Sequence, residues 1–395
     1  MINAVFYQAR VRALLSVLSH LPCGSLAMTL PDGSRHHFTG PAEGPAADIH
    51  IHTERALGMM MSDGKLGFCE AFMQGEASSA DLPRLIELVV RQNDFIEQNL
   101  QENRLFALLR RYGHWRNRNS RQNARRNIAY HYDLGNAFYA AWLDPSMTYS
   151  SAVFGHGCDD LELAQQEKYR RLAALADIRA GDKVLEIGCG WGGFAEYAAG
   201  LGAEVTAITI SEEQFTYARD RIQKAGLEGC VKIQLCDYRD LQGRFDKIVS
   251  IEMFEAVGEQ YWPQYFDTVS RLLPSGGKAA LQIITIDPAV YDSYRSQPDF
   301  IQRYIFPGGM LPSMPALSQP LGSAGLQLVE ENGYALDYAR TLATWRERFL
   351  EAWPQLKNHG FDGQFRRMWE LYLAYCEGGF RGGQIDLKQL LLVRS

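Results

Sequence analysis

The chain has 395 residues, 46% hydrophobic and 22% charged, a composition that supports a sizeable core and excludes a largely disordered protein. Its length exceeds one ordinary domain, so two domains or one domain with a large extension are expected. A net charge of −6 excludes coating of nucleic acid through overall basicity, and seven scattered cysteines without a CxxC pair exclude a disulfide framework. They predict a reducing, cytoplasmic setting and no metal site.

Residues 4–19 place Val5, Phe6, Val11, Leu14, Leu15 and Leu18 at helical spacing, with Arg10 and Arg12 interrupting any signal-peptide core. No window approaches the roughly 20 apolar residues of a spanning helix, so membrane contact is expected to be peripheral. Residues 25–38 alternate around Pro31-Asp32-Gly33 as a hairpin does. The stretch 64–81 reads as turn-rich, and Asp81 caps a helical pattern running to about Tyr112. Together these predict a small α+β N-terminal domain over 1–100.

A linker over 101–128 follows, in which Arg104, Arg110, Arg111, Arg116, Arg118, Arg121, Arg125 and Arg126 face one acid, Glu102. With Tyr112 and Trp115 interleaved, the run suits an anionic headgroup boundary. From Lys183 onward strands alternate with helices, which predicts a parallel sheet covered on both faces within a catalytic domain over 129–395. The stretch 287–320, with six prolines and many aromatics, breaks the rhythm as an insertion or lid would.

Val184 to Gly193 is a strand, a glycine turn and a helix start, and the turn glycines let the backbone pass close under a ligand held by free N–H groups. Gly188, Gly190 and Gly193 also satisfy the dinucleotide pattern. Two features favour S-adenosylmethionine over a nicotinamide cofactor. The second strand, Ala207 to Ile210, ends without the ribose-binding acid, and Glu186 precedes the first glycine by two residues, as in methyltransferases that recognise the methionine end.

Seven ordered motifs then carry a resemblance: residues 130–154, GCGWGG, TISEEQ (209–214), DYRDL (237–241), EMFEAVG (252–258), YIFPGGMLPS (304–313) and YLAYCEGGFR (372–381). In this series the chain resembles the cyclopropane-fatty-acyl-phospholipid synthases, in their long form with an extra N-terminal domain. The resemblance implies an α/β class I S-adenosylmethionine methyltransferase, Rossmann-like, with a mostly parallel seven-stranded sheet. It implies that Tyr149 and Ser150 close over the cofactor, and that Gly188, Cys189, Gly190, Trp191, Gly192 and Gly193 hold its methionine part. Thr209, Ile210, Ser211 and Gln214 bind the ribose side, and Tyr238 with Arg239 flank the adenine.

The implied reaction transfers a methyl group to the cis double bond of an unsaturated acyl chain in a bilayer phospholipid, on the inner face of the membrane. It leaves a carbocation, which electron-rich rings such as Tyr149, Phe254, Tyr304 and Phe306 would stabilise. A bound bicarbonate then takes the proton that closes the ring. Its implied holders are Glu255, Tyr338, Ser151, Gln282 and the backbone of Ile284. Cys376 matches a cysteine once proposed as nucleophile, although a cationic route needs no thiolate. Ser151, Ala256 and Gln282 depart from the cysteine and two histidines of the best-known members, which leaves a methyl- or methylene-branched product, or another unsaturated lipid, open beside the cyclopropane. A homodimer is compatible with the sequence.

Overall fold

The computed structural model describes residues 11–12, 14–93, 95, 134–155 and 157–395; the arginine-rich stretch 101–128 and the start of the first helical pattern lie outside them. Two sheets are present, of four and seven strands.

In the smaller sheet, β1 (Cys23–Thr29) and β2 (Arg35–Thr39) form the expected antiparallel hairpin, with Ser25 opposite Thr39 and Thr29 opposite Arg35. β3 (Ala42–Ile51) pairs parallel with β1, and the short β4 (Ala77–Ser78) closes the order β2-β1-β3-β4. The turn-rich reading of 64–81 is corrected over most of its length. Helix α1 (Glu54–Met73), capped by the Thr53 hydroxyl, runs through Gly64 and bends there at φ 55°, ψ −127°. Burial of Leu57, Leu66, Cys69 and Phe72 holds the two halves against the core, so tertiary packing overrides the glycine and polar residues that read as a turn. Helix α2 (Leu82–Arg91) begins at the expected cap, Asp81. Val11 is buried, and Leu14, Leu15 and Leu18 pack against the same core, so the described part of the first pattern serves as a core helix.

The larger sheet contains β5 (Lys183–Ile187), β6 (Glu204–Thr209), β7 (Val231–Leu235), β8 (Lys247–Ile251), β9 (Lys278–Ile286), β10 (Leu326–Gly333) and β11 (Ile385–Arg394) in the order β10-β11-β9-β8-β5-β6-β7. β11 pairs antiparallel with both of its neighbours and the remaining pairs are parallel. Alternate residues of β5 go to opposite cores: Leu185 and Ile187 pack with Phe266 and Leu272, Val184 with Leu172 and Phe194. That two-sided burial explains why Val184, Leu185 and Ile187 are apolar on both faces of the strand, and it makes the buried Glu186 between them an exception. Helices α3 (Leu161–Ala176), α4 (Gly193–Gly200), α5 (Glu212–Lys224) and α6 (Trp262–Leu272) accompany these strands. The 287–320 insertion folds as α7 (Pro288–Ser296), a π-helical turn Ile301–Ile305 and α8 (Met314–Ser323), and the chain ends with α9 (Ala335–Leu356), α10 (Gly363–Arg381) and β11.

The N-terminal layer does not stand apart, because its residues and those of α9 and α10 share one hydrophobic core. α2 lies so close to α10 that a Cβ on Gly378 would meet Ile86 Cγ2 at 2.6 Å and the Glu87 amide nitrogen at 2.9 Å. A glycine-bearing face on α10 is what lets that helix seat the N-terminal layer.

Candidate active site

The strand order reverses at β5, which has β6 on one side and β8 on the other, so a crevice opens at its carboxyl end. There Gly188 and Cys189 donate their amides to the Ile208 carbonyl at 3.0 and 2.9 Å. Gly190, at φ 51°, has nothing within 4 Å of the position a Cβ would take, which leaves an open floor below α4. Glu186 is buried, lines the cavity, and its Oε2 has no hydrogen-bond partner among the described residues. Burial pushes its carboxyl well above the ordinary range, against the pull of Lys168 and Arg221. A buried acceptor lacking a donor, beside a glycine floor, fits the ammonium and carboxylate of a methionine moiety.

Around the same crevice the Thr209 hydroxyl donates to Gln214 Oε1 at 3.0 Å, and Ile210, Gln214, Tyr238 and Arg239 line the wall. Arg239 is held by Asp237 in a 2.5 Å ion pair, both 6% exposed. Tyr149, Ser150, Cys189, Trp191 and Gly193 also line the cavity. Two of the expected cofactor residues act from behind it: Ser211 caps α5 through the Gln214 amide, and Gly192 lies against Ala218.

The reaction end departs from expectation. Ser151, Gln282 and Tyr338 do not converge on Glu255. The Ser151 amide and Gln282 Nε2 each donate to Glu252 Oε1 at 2.8 Å, and the Tyr338 hydroxyl donates to Glu252 Oε2 at 2.5 Å. Only the Ile284 amide goes to Glu255, at 2.5 Å, while Glu255 Oε2 has no partner among the described residues. Ser151 and Gln282 are fully buried behind Glu252, so the donor set expected to cradle bicarbonate already holds a side-chain carboxylate and does not fit a further anion.

Burial raises both carboxyl groups. Three donors favour the ionised form of Glu252, whereas Glu255 is pushed up to about 8 by burial first and by the charge of Glu252 second. A proton shared by the pair therefore favours Glu255, which lacks the three donors that Glu252 has.

The cavity continues for a total of about 1230 Å³ past Phe306, Tyr372 and Phe380 to Met61, Gly64, Lys65 and Leu66 of α1. Tyr149 and Phe306 line it as expected. Phe254 does not, being enclosed by Trp262, Tyr265 and Phe266, and Tyr304 turns its hydroxyl to Glu70. Cys376 lines the wall, but burial pushes its thiol far up, which favours the neutral thiol over a thiolate. Sequence reasoning missed Lys168, fully buried, whose ammonium nitrogen donates to Ser150 Oγ at 2.7 Å and Gln165 Oε1 at 2.6 Å. Burial lowers its pKa to about 7. The signal was available: Leu161, Ala164, Lys168 and Leu172 fall on one face of α3.

Among the described residues no helix is long and apolar enough to cross a membrane. The mycolic acid cyclopropane synthetase family pattern matches residues 119–390. The chain is 41% identical over 394 residues to the tuberculostearic acid methyltransferase of Mycobacterium tuberculosis, covering 97% of this chain and 90% of that one. It is 35% identical over 357 residues to the cyclopropane-fatty-acyl-phospholipid synthase of Escherichia coli K12, covering 88% of each. A solved mycolic acid cyclopropane synthase with SAH and CTAB bound superposes with a TM-score of 0.64 at 28% identity, covering 68% of this chain and 98% of that chain.

Proposed function

The chain belongs to the mycolic acid cyclopropane synthetase family of S-adenosylmethionine-dependent lipid methyltransferases, and on that premise we propose that it methylates the cis double bond of an unsaturated acyl chain in a membrane phospholipid. The single cavity that joins the glycine floor to the apolar wall under α1 carries this reading. A weak alkene nucleophile must be held in line with the donor and away from water, which a long, largely apolar cavity does.

S-adenosylmethionine, when bound, supplies an electrophilic methyl group. Glu186 and the Gly188–Gly193 backbone hold its methionine end, Thr209 and Gln214 its ribose, and Tyr238 and Arg239 flank its adenine. Tyr149, Phe306 and Tyr372 face the cation left on the acyl chain. Proton loss to a protein carboxylate then gives a neutral product, a cyclopropane if the new methyl group supplies the proton. A second reading, a methylene- or methyl-branched chain, is supported by the 41% identity to the tuberculostearic acid methyltransferase over nearly the full length. Access to the lipid would come through peripheral docking on an anionic bilayer from the cytoplasmic side, using the arginines of 104–126.

The test incubates purified protein with dioleoyl phosphatidylglycerol vesicles and methyl-labelled S-adenosylmethionine. Labelled acyl chains one CH2 heavier are expected; ozone leaves a ring intact and cleaves a methylene or shifted alkene. Absence of labelled acyl chains would overturn the reading.

A further inference from the structure

We propose that Glu252 is the proton acceptor of the reaction, a built-in carboxylate standing where the resemblance to cyclopropane synthases puts a bound bicarbonate. The proposal rests on the methylating reading above.

Bicarbonate and a carboxylate side chain present the same planar O–C–O edge to hydrogen-bond donors. The donors here are committed to the side chain: the Ser151 amide, Gln282 Nε2 and the Tyr338 hydroxyl all meet Glu252. Gln389 Nε2 donates to Gln282 Oε1 at 2.9 Å, which fixes the Gln282 amide with its nitrogen toward Glu252. Of the roughly four acceptor positions of a carboxylate, three are taken and one remains, on Oε2. Glu252 lines the cavity, so that position is available to the substrate.

The backbone supports the same assignment. Glu252 sits at φ 49°, one of three non-glycine residues with positive φ among those described, a conformation that crowds the Cβ of an L-residue. Its amide is bound to the Gln282 carbonyl at 2.8 Å, so the left-handed turn is anchored to the strand that carries one of its donors. Strain of this kind persists where the surrounding structure imposes it, and it clusters at functional sites.

In the step itself a C–H bond beside the cation breaks, the proton forms an O–H bond with Glu252, and the freed electron pair closes the ring or forms the alkene. Charge balances: a cation and a carboxylate become a neutral lipid and a carboxylic acid. Solvent then removes the proton before the next turnover. No co-reactant beyond the methyl donor is consumed.

The experiment measures methyl transfer to dioleoyl phosphatidylglycerol vesicles in carbon-dioxide-free buffer, with and without added bicarbonate or formate. It uses wild type, Glu252→Gly and Glu252→Gln, each checked for SAH binding by calorimetry. Glycine relieves the positive φ and vacates the donor pocket, whereas glutamine fills it without a base. Wild type is expected to run equally with and without bicarbonate. Both variants are expected to lose 10²- to 10⁴-fold, the usual range for a general base, and only Glu252→Gly should regain activity with bicarbonate or formate.

Wild-type transfer that stops without bicarbonate overturns the proposal and leaves the methylating reading intact. Either variant at wild-type rate without added anion overturns it too, as does SAH-binding Glu252→Gly that neither anion restores. No transfer by wild type under any condition would instead sink the methylating reading and this proposal with it.

Discussion

Tyr304 donates a 2.7 Å hydrogen bond to Glu70, fastening the 287–320 insertion to helix α1 of the N-terminal layer, and Arg303 adds a 3.5 Å ion pair to the same carboxylate. Phe300, Ile301, Gln302 and Phe306 of that insertion line the far part of the cavity, and so do Met61, Lys65 and Leu66 of α1. The two walls of this part of the cavity thus share one carboxylate as a polar tie, beside the apolar core that Phe300 and Ile305 form with Leu66 and Phe72.

Tyr304→Phe removes the hydroxyl and leaves the ring in place. A hydrogen bond to a charged group contributes about 1.5–3 kcal/mol, and partial exposure puts this one at the low end. The expected result is a small loss of stability in urea unfolding and a severalfold rise in KM for vesicle lipid, with SAH affinity unchanged. An unchanged lipid KM would show that the tether does not shape the far part of the cavity.

Glu255 gives the protein a pH dependence whose sign is fixed by its upward shift to about 8. Between the ordinary carboxyl range and pH 8 the folded chain keeps a proton on Glu255 that the unfolded chain releases. Its contribution is therefore complete at acid pH and is lost as pH rises through the folded value, on the order of a few kcal/mol over the whole window. In Glu255→Gln, urea unfolding between pH 5 and 8 should show a shallower decline than wild type. Parallel pH profiles for the two proteins would mean that Glu255 is ionised throughout.

Gly378→Val tests the seating of the N-terminal layer. The added Cβ meets Ile86 and the Glu87 backbone, which cannot swing away as a side-chain tip could. Overpacking of this kind costs about 1–3 kcal/mol. A lower unfolding midpoint should appear together with weaker lipid turnover, since α1 and α2 both contribute lining residues to the cavity. Wild-type stability would show that the helices separate freely.

The cofactor half of the site was legible because its chemistry is local: a strand, a glycine turn and a cap are consecutive residues, so Glu186 to Gly193 and Thr209 to Gln214 could be read in order. The reaction half is assembled from Ser151, Glu252, Gln282 and Tyr338, four separate segments, and spacing along the chain cannot say which of two acids in EMFEAVG receives the donors. The left-handed backbone that turns Glu252 toward them leaves no mark in a sequence without a glycine there. Lys168 was missed for a different reason, because a lysine inside a charged helix reads as solvated until the face it occupies is counted.

Cys376 stands against the last reactive role the sequence offered. Burial, with Asp299 adding to it, pushes the thiol far above its ordinary value, and a neutral thiol is a poor nucleophile. The side chain sits in the wall among Tyr372, Tyr375 and Phe380, where it acts as a small apolar group. Cys376→Ala should retain turnover within about threefold at neutral pH, the cost being a modest change in packing rather than loss of a chemical step. Treatment of wild type with iodoacetamide at pH 7 should leave Cys376 unalkylated by peptide mass mapping, since the reagent needs the thiolate. A 10³-fold loss in Cys376→Ala, with SAH binding intact, would return the thiol to the mechanism.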